Sequence, residues 1–302
     1  MTTFKVFASF VLAASIVSTL TAETRCPGNV ASLPFRTVNR HQMIVPVSIN
    51  HAGPFSFLLD TGTQMTMVDP ALAAALRLES TGKAEVASVG MSAAASFAQA
   101  DLVEAGSHSV ANQKVLVYDL ANLQATGLKI QGVLGEDFLE QFDMLIDNGH
   151  SMLCLDNSAA MRAEVKGSRI PLLAQEAEGP QLASSLIVVA RLSDGMRPVR
   201  LKLDSGSNVP FLYNTSEYMA FGMLRGASLH GGGANGPQRT FTALPPQTMK
   251  IGPVEVAHVS FITLEGAPKD SRTSEFDGLL SMALFKRVFI DHADHFAVLE
   301  PF

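Results

Sequence analysis

A chain of 302 residues, 47% hydrophobic and only 17% charged, can bury one large core or two medium ones, which excludes wholesale disorder. A net charge of −6 with no cluster of Lys and Arg excludes a polyanion-binding surface, so no nucleic acid is expected as a partner. Two cysteines, Cys26 and Cys154, are too few for a zinc site or a dense disulfide framework.

Residues 1–22 read as a signal peptide. Lys5 supplies the positive start, Val6 to Val17 is an apolar segment of secretory length, and Ala22 can precede a cleavage point. The mature protein is then expected outside the cytoplasm, periplasmic or secreted, with no stable membrane insertion after cleavage. A retained anchor is the alternative, although the stretch is short for a span. In an oxidising compartment Cys26 and Cys154 could pair and tie the N-terminus to a later strand; two unpaired, partly buried thiols are the other reading. Little chain separates the signal from the first strand, so no long inhibitory propeptide is expected.

Gln42 to Asn50 alternates Met43, Val45, Val47 and Ile49 with less apolar neighbours, the period of a half-buried strand. His51-Ala52-Gly53-Pro54 should turn it back into Phe55 to Asp60, whose continuous apolar character implies burial on both faces. Met65 to Val68 is a further strand, and Asp69-Pro70 opens a short helix to Leu78, with Asp as N-cap and Pro at the first helical position. Lys83 to Asp119 holds several strands. Val86 to Ser96 reads as a hairpin whose small tip residues leave it mobile. Gly132 to Gly135 follows, Asp137 to Phe142 forms one or two helical turns, and Met144 to Leu155 is a hairpin about Asn148-Gly149.

Residues 158–169 are polar and lack either period, which marks a linker between units at 30–157 and 170–302. Beyond it the order of elements begins again. Leu186 to Leu192 and Pro198 to Asp204 are strands about Asp194-Gly195, Pro210 to Tyr213 is the next, and Glu217-Tyr218-Met219 reads as helical. The offset is nearly constant: Asp60 to Asp204 is 144 positions, Gly106 to Gly252 and Gly132 to Gly278 are each 146, and Asp147 to Asp291 is 144. An internal duplication of about 130 residues is not a solenoid. It implies two similar β-rich lobes about a pseudo-two-fold axis, which sets equivalent loops face to face.

The loops most worth pairing carry the repeated motif, Leu59-Asp60-Thr61-Gly62-Thr63 and Leu203-Asp204-Ser205-Gly206-Ser207. Two carboxylates held close together share one proton, so one side can accept a proton from water while the other donates.

These residues resemble the aspartic proteases of the retropepsin and pepsin group, over roughly residue 33 to the end. Val133-Leu134-Gly135 matches the family's downstream hydrophobic-hydrophobic-glycine element. The resemblance implies a mainly β acid-protease fold of two fused retropepsin-like, barrel-like lobes with a few short helices. It implies an aspartic endopeptidase, needing no cofactor or metal, that acts on polypeptide as a monomeric pseudo-dimer. By the same resemblance Asp60 and Asp204 are the catalytic dyad, and Gly62 and Gly206 let backbone N–H groups approach it. Thr61 and Ser205 lock the two loops together, and the Thr63 and Ser207 hydroxyls bond the carboxylates directly, favouring the ionised form and implying activity at acid pH.

The second copy departs at Leu279-Leu280-Ser281, where a side chain stands in place of the family's glycine. A catalytically silent protein of this fold, binding peptides or a partner between the lobes, is therefore the alternative. The first hairpin lacks the tyrosine of a pepsin-type flap, and His230-Gly231-Gly232-Gly233-Ala234 is either its counterpart or a plain loop. His292-Ala293-Asp294-His295 falls in a turn by the repeat, where solvated polar residues are expected instead of a metal. No serine-nucleophile signature occurs, and Asn214-Thr215-Ser216 is a sequon of consequence only in a eukaryotic secretory pathway.

Overall fold

A computed structural model describes residues 26–39, 41–88, 91–173, 184–213, 228–231, 239–263 and 275–302. The signal segment, the Glu217-Tyr218-Met219 segment and the Asn214 sequon lie outside them, as do both hairpin tips, 89–90 and 232–238. Strands dominate, with a few short helices.

The first half runs through β1 (Ser32–Pro34), β2 (Arg36–Val38), β3 (Gln42–Ile49), β4 (Ala52–Leu59), β5 (Met67–Val68), α1 (Pro70–Ala75), β6 (Ser80–Ser88), β7 (Met91–Ala105) and β8 (His108–Val117). It continues with α2 (Ala121–Gln124), β9 (Gly132–Leu134), α3 (Glu136–Leu139), β10 (Asp143–Asp147) and β11 (Met152–Asp156). Eight of these strands form one sheet in the order β2-β3-β4-β9-β5-β8-β7-β6, which curls back on itself where β3 also pairs with β7. β3 buries Met43, Val45, Val47 and Ile49 as expected, but Gln42 and Ile44 of its other face are buried too, so it is half-buried only from Pro46 on; Phe57, Leu58 and Leu59 of β4 are all buried. Asp69 caps α1 by accepting from the Ala71 N–H, with Pro70 opening the helix, though the helix stops at Ala75.

After α4 (Ala160–Glu164) and β12 (Ile170–Pro171), the second half runs through β13 (Ile187–Leu192), β14 (Val199–Asp204), β15 (Phe211–Leu212), β16 (Ser228–Gly231), β17 (Arg239–Ala243), β18 (Gln247–Ile251) and β19 (Val254–Val259). It closes with β20 (Ile262–Thr263), β21 (Gly278–Ser281), β22 (Phe285–Asp291) and β23 (Phe296–Pro301). Apart from the β2–β3 pairing, its nine-stranded sheet repeats the first half's pairings in the same register. Leu58 lies beside Val133 as Lys202 lies beside Leu279; Met67 lies beside Leu116 as Phe211 lies beside Ile262. The hairpin β6–β7 has its counterpart in β16–β17, with Ser96 opposite Val117 as Thr242 is opposite Thr263. Of the glycine-rich stretch, His230 and Gly231 therefore lie in a strand of this second hairpin, and Gly232 to Ala234 lie outside the described residues.

The two closing hairpins join in a six-stranded sheet, β1-β11-β10-β22-β23-β12. At its centre Leu145 pairs with Phe289, positions that differ by the repeat's own 144. Met144 opposite Ile290 and Ile146 opposite Val288 are likewise interchanged by that offset, so the local two-fold passes through the Leu145–Phe289 pair. Cys26 is bonded to Cys154 in β11, fastening the start of the described chain to this sheet.

Three local expectations change. Asn50 and His51, both at positive φ, make the turn between β3 and β4, while Gly53 and Pro54 lie inside β4; Asn50 is pinned to Leu102 through both its backbone and its side chain. The connections at Asn148-Gly149 and Asp194-Gly195 are longer than two-residue turns. Asn148 donates to Met282 O and Phe285 O across the halves, and buried Gln247 bonds Ser193 and Asp194. The stretch 158–169 is partly helical: Arg162 of α4 reaches Asp143, Asp291 and Asp294, so it binds the hairpins of both halves together.

Candidate active site

Both motif loops leave the C-terminal ends of strands held by a parallel neighbour. Asp60 follows β4, its N–H donating to Leu134 O of β9, and Asp204 ends β14 opposite Ser281 of β21. The sheets thus deliver the two carboxyls to the same place, where they share a hydrogen bond.

The loops are joined by a reciprocal clasp. The Thr61 N–H donates to the Ser205 hydroxyl at 3.0 Å and the Ser205 N–H to the Thr61 hydroxyl at 3.1 Å. Each hydroxyl then donates onward to the strand of the other half, Thr61 to Leu203 O at 3.0 Å and Ser205 to Leu59 O at 2.9 Å. The four bonds are interchanged by the 144-residue offset, and both residues are buried, so water cannot substitute for them.

Gly62 and Gly206 serve the site crosswise. Each donates its N–H to the carboxylate of its own loop, at 2.8 Å. A Cβ on Gly62 would lie 2.5 Å from the carboxyl carbon of Asp204, and one on Gly206 2.5 Å from that of Asp60. The glycines are required by the opposite aspartate.

The hydroxyls of Thr63 and Ser207 do not play the part the resemblance implies. Ser207 donates its hydroxyl to Val209 O and reaches Asp204 through its backbone N–H at 2.9 Å, while Thr63 engages its loop through an N–H to Asp60 O. Among the described residues, the N–H donors to the carboxylates are backbone groups, two on Asp204 and one on Asp60. Burial and the negative charge of Asp204 push the Asp60 carboxyl up to about 8. Burial also raises Asp204, against the opposing pull of the Lys202 charge and of the Ser207 and Gly206 N–H groups. One proton of the pair is therefore retained above the ordinary carboxylate range.

Ser281 supports the second loop. In the first half the Glu136 N–H donates to Thr63 O at 2.9 Å, and in the second the Ser281 hydroxyl donates to the equivalent Ser207 O at 2.7 Å. At Gly135, the counterpart of Ser281, a Cβ would meet the backbone of Met65 and Thr66 at 2.6–2.8 Å. Thr66 is held there by Asp137, which accepts from both its N–H and its hydroxyl. The second half has Pro210 at the position of Thr66 and Ala283 at that of Asp137, so this clasp cannot form and the serine takes its place.

His292 lies in the turn as expected, but its side chain is largely enclosed instead of solvated, between Phe142 O at 2.7 Å and Glu136 at 2.6 Å, both facing ring nitrogens. Burial pushes its pKa down, but the Glu136 carboxylate outweighs that and raises it. Lys202, two residues before Asp204, was passed over by sequence reasoning. It is buried and donates to Gly62 O of the other loop at 2.8 Å.

The family model described as aspartyl protease matches residues 45–138, a stretch that includes the first motif and Gly135. No curated protein matches the chain.

Proposed function

We propose that this chain, whose residues 45–138 match the aspartyl protease family model, is an endopeptidase that hydrolyses peptide bonds with a water held between Asp60 and Asp204. The reading rests above all on the reciprocal Thr61–Ser205 clasp, which gives two loops 144 positions apart one fixed geometry. Asp204, with two N–H donors and the nearby Lys202 charge, is the ionised partner, and Asp60 holds the proton. As water attacks the carbonyl carbon, Asp204 takes its proton and Asp60 gives one to the carbonyl oxygen, leaving a tetrahedral diol and a dyad of unchanged total charge. Collapse of that diol returns a proton to the leaving amine. The singly protonated dyad works until Asp60 ionises, so activity extends to near neutrality and falls as pH passes about 8.

The two hairpins β6–β7 and β16–β17 would cover an extended peptide from both sides, in a monomer formed by duplication of one retropepsin-like unit. The Cys26–Cys154 bond supports an oxidising, extracytoplasmic setting reached through the signal segment. The test is cleavage of a quenched peptide library by the chain lacking residues 1–22, beside Asp60→Asn and Asp204→Asn. Turnover lost in both variants is the expected result. A folded wild type that cleaves nothing from acid to neutral pH would favour a peptide-binding protein of the same fold.

A further inference from the structure

Lys202 breaks the symmetry of the site. By the repeat its counterpart is Leu58, an apolar residue buried beside Val133, so the fold does not need a charge at this position. On β14, Lys202 and Asp204 share a face by the two-residue alternation of a strand, while Leu201 and Leu203 pack into the core. The side chain ends 2.8 Å from Gly62 O, which belongs to the Asp60 loop, and the residue is only 5% exposed. A buried ammonium is costly unless a negative charge compensates it. The Phe276 ring, 5.8 Å away, supplies at most a weak attraction. Flanking strands place Ile187 and Leu279 beside it, and Arg200, two residues earlier on the same face, is paired with Asp277, as is Arg197. Among the described residues, Asp60 and Asp204 are the carboxyls on which its charge acts.

We infer that Lys202 is a positioning residue, strapping the Asp60 loop to β14 and using its charge to hold the dyad singly ionised with Asp204 as the base. This rests on the hydrolase reading. Its charge lowers both carboxyls, and on Asp204 it is the largest influence opposing burial. Without it, Asp204 keeps its proton to higher pH, and the acid limb of the rate profile moves upward.

The test compares Lys202→Met, which removes strap and charge, with Lys202→Gln, which keeps a donor for Gly62 O, and Lys202→Arg, which keeps the charge. In Met and Gln the acid limb of kcat should move up by about one pH unit, a tenfold loss below the midpoint, while KM is unchanged and Arg follows the wild type. In parallel, the carboxyl stretch of the dyad, assigned by difference infrared spectra against Asp60→Asn and Asp204→Asn, is titrated without substrate. The same upward shift in that titration supports the inference even if no peptide is cleaved, an outcome that would sink the hydrolase reading alone. Unmoved titrations in folded Met and Gln variants would overturn the role of Lys202 and leave the hydrolase reading standing.

Discussion

Thr61→Ala removes one hydroxyl from the clasp and leaves two backbone groups without partners, the Leu203 carbonyl and the Ser205 N–H. Thr61 is 0% exposed, so neither group can turn to water. An orphaned buried group costs about 1–3 kcal/mol, and two give about 2–6 kcal/mol, a large part of a typical folding stability of about 5–15 kcal/mol. Thr61→Ser keeps the hydroxyl and loses one methyl, for about 1 kcal/mol. Equilibrium urea unfolding of wild type, Ser and Ala variants measures the difference directly. The midpoint should fall steeply for Ala and slightly for Ser, with the denaturant slope unchanged. Equal losses for Ser and Ala, or a loss below about 1 kcal/mol for Ala, would refute the clasp as the element joining the loops.

Gly206→Ala places a methyl against the Asp60 carboxyl; peptide cleavage should fall at least about 100-fold, with the folded circular dichroism spectrum retained, because a displacement of about an ångström suffices for such a loss. Ser281→Gly, which restores the family's residue, should destabilise the chain by about 1 kcal/mol or more in the same urea assay and should not raise activity, since Ser207 O loses its donor. Reduction of Cys26–Cys154, which closes a loop of 128 residues, should lower stability by about 3–5 kcal/mol, seen as a fall in Tm with added dithiothreitol.

Much of the site was legible because it is carried by local pattern. An apolar strand ending in Asp-Thr-Gly or Asp-Ser-Gly, and a near-constant offset between copies, are both properties of the chain alone, as are the capping of α1 by Asp69 and the alternation of β3. What escaped depends on contacts between halves. Within Leu201-Lys202-Leu203, alternation assigns Lys202 to the face away from the core, which is ordinarily solvent; only the packing of one half on the other turns that face towards the dyad. The hydroxyls of Thr63 and Ser207 were given to the carboxylates because nothing in a sequence says that backbone N–H groups will take those places. The Asn148-Gly149 and Asp194-Gly195 pairs favour tight turns locally, but bonds from Asn148 to the other half and from Gln247 to its neighbours override that preference. Ser281 looked like a defect because the compensating losses of Thr66 and Asp137 equivalents are visible only once the strands are aligned in space.

The central claim is that one chain supplies both halves of the dyad. It is tested most directly by purifying Asp60→Asn and Asp204→Asn separately, mixing them at high concentration, and assaying peptide cleavage beside the wild type. An intramolecular dyad predicts full activity in the wild type, none in either variant, and none in the mixture. Activity restored by mixing would show that Asp60 of one molecule works with Asp204 of another, and would contradict the account.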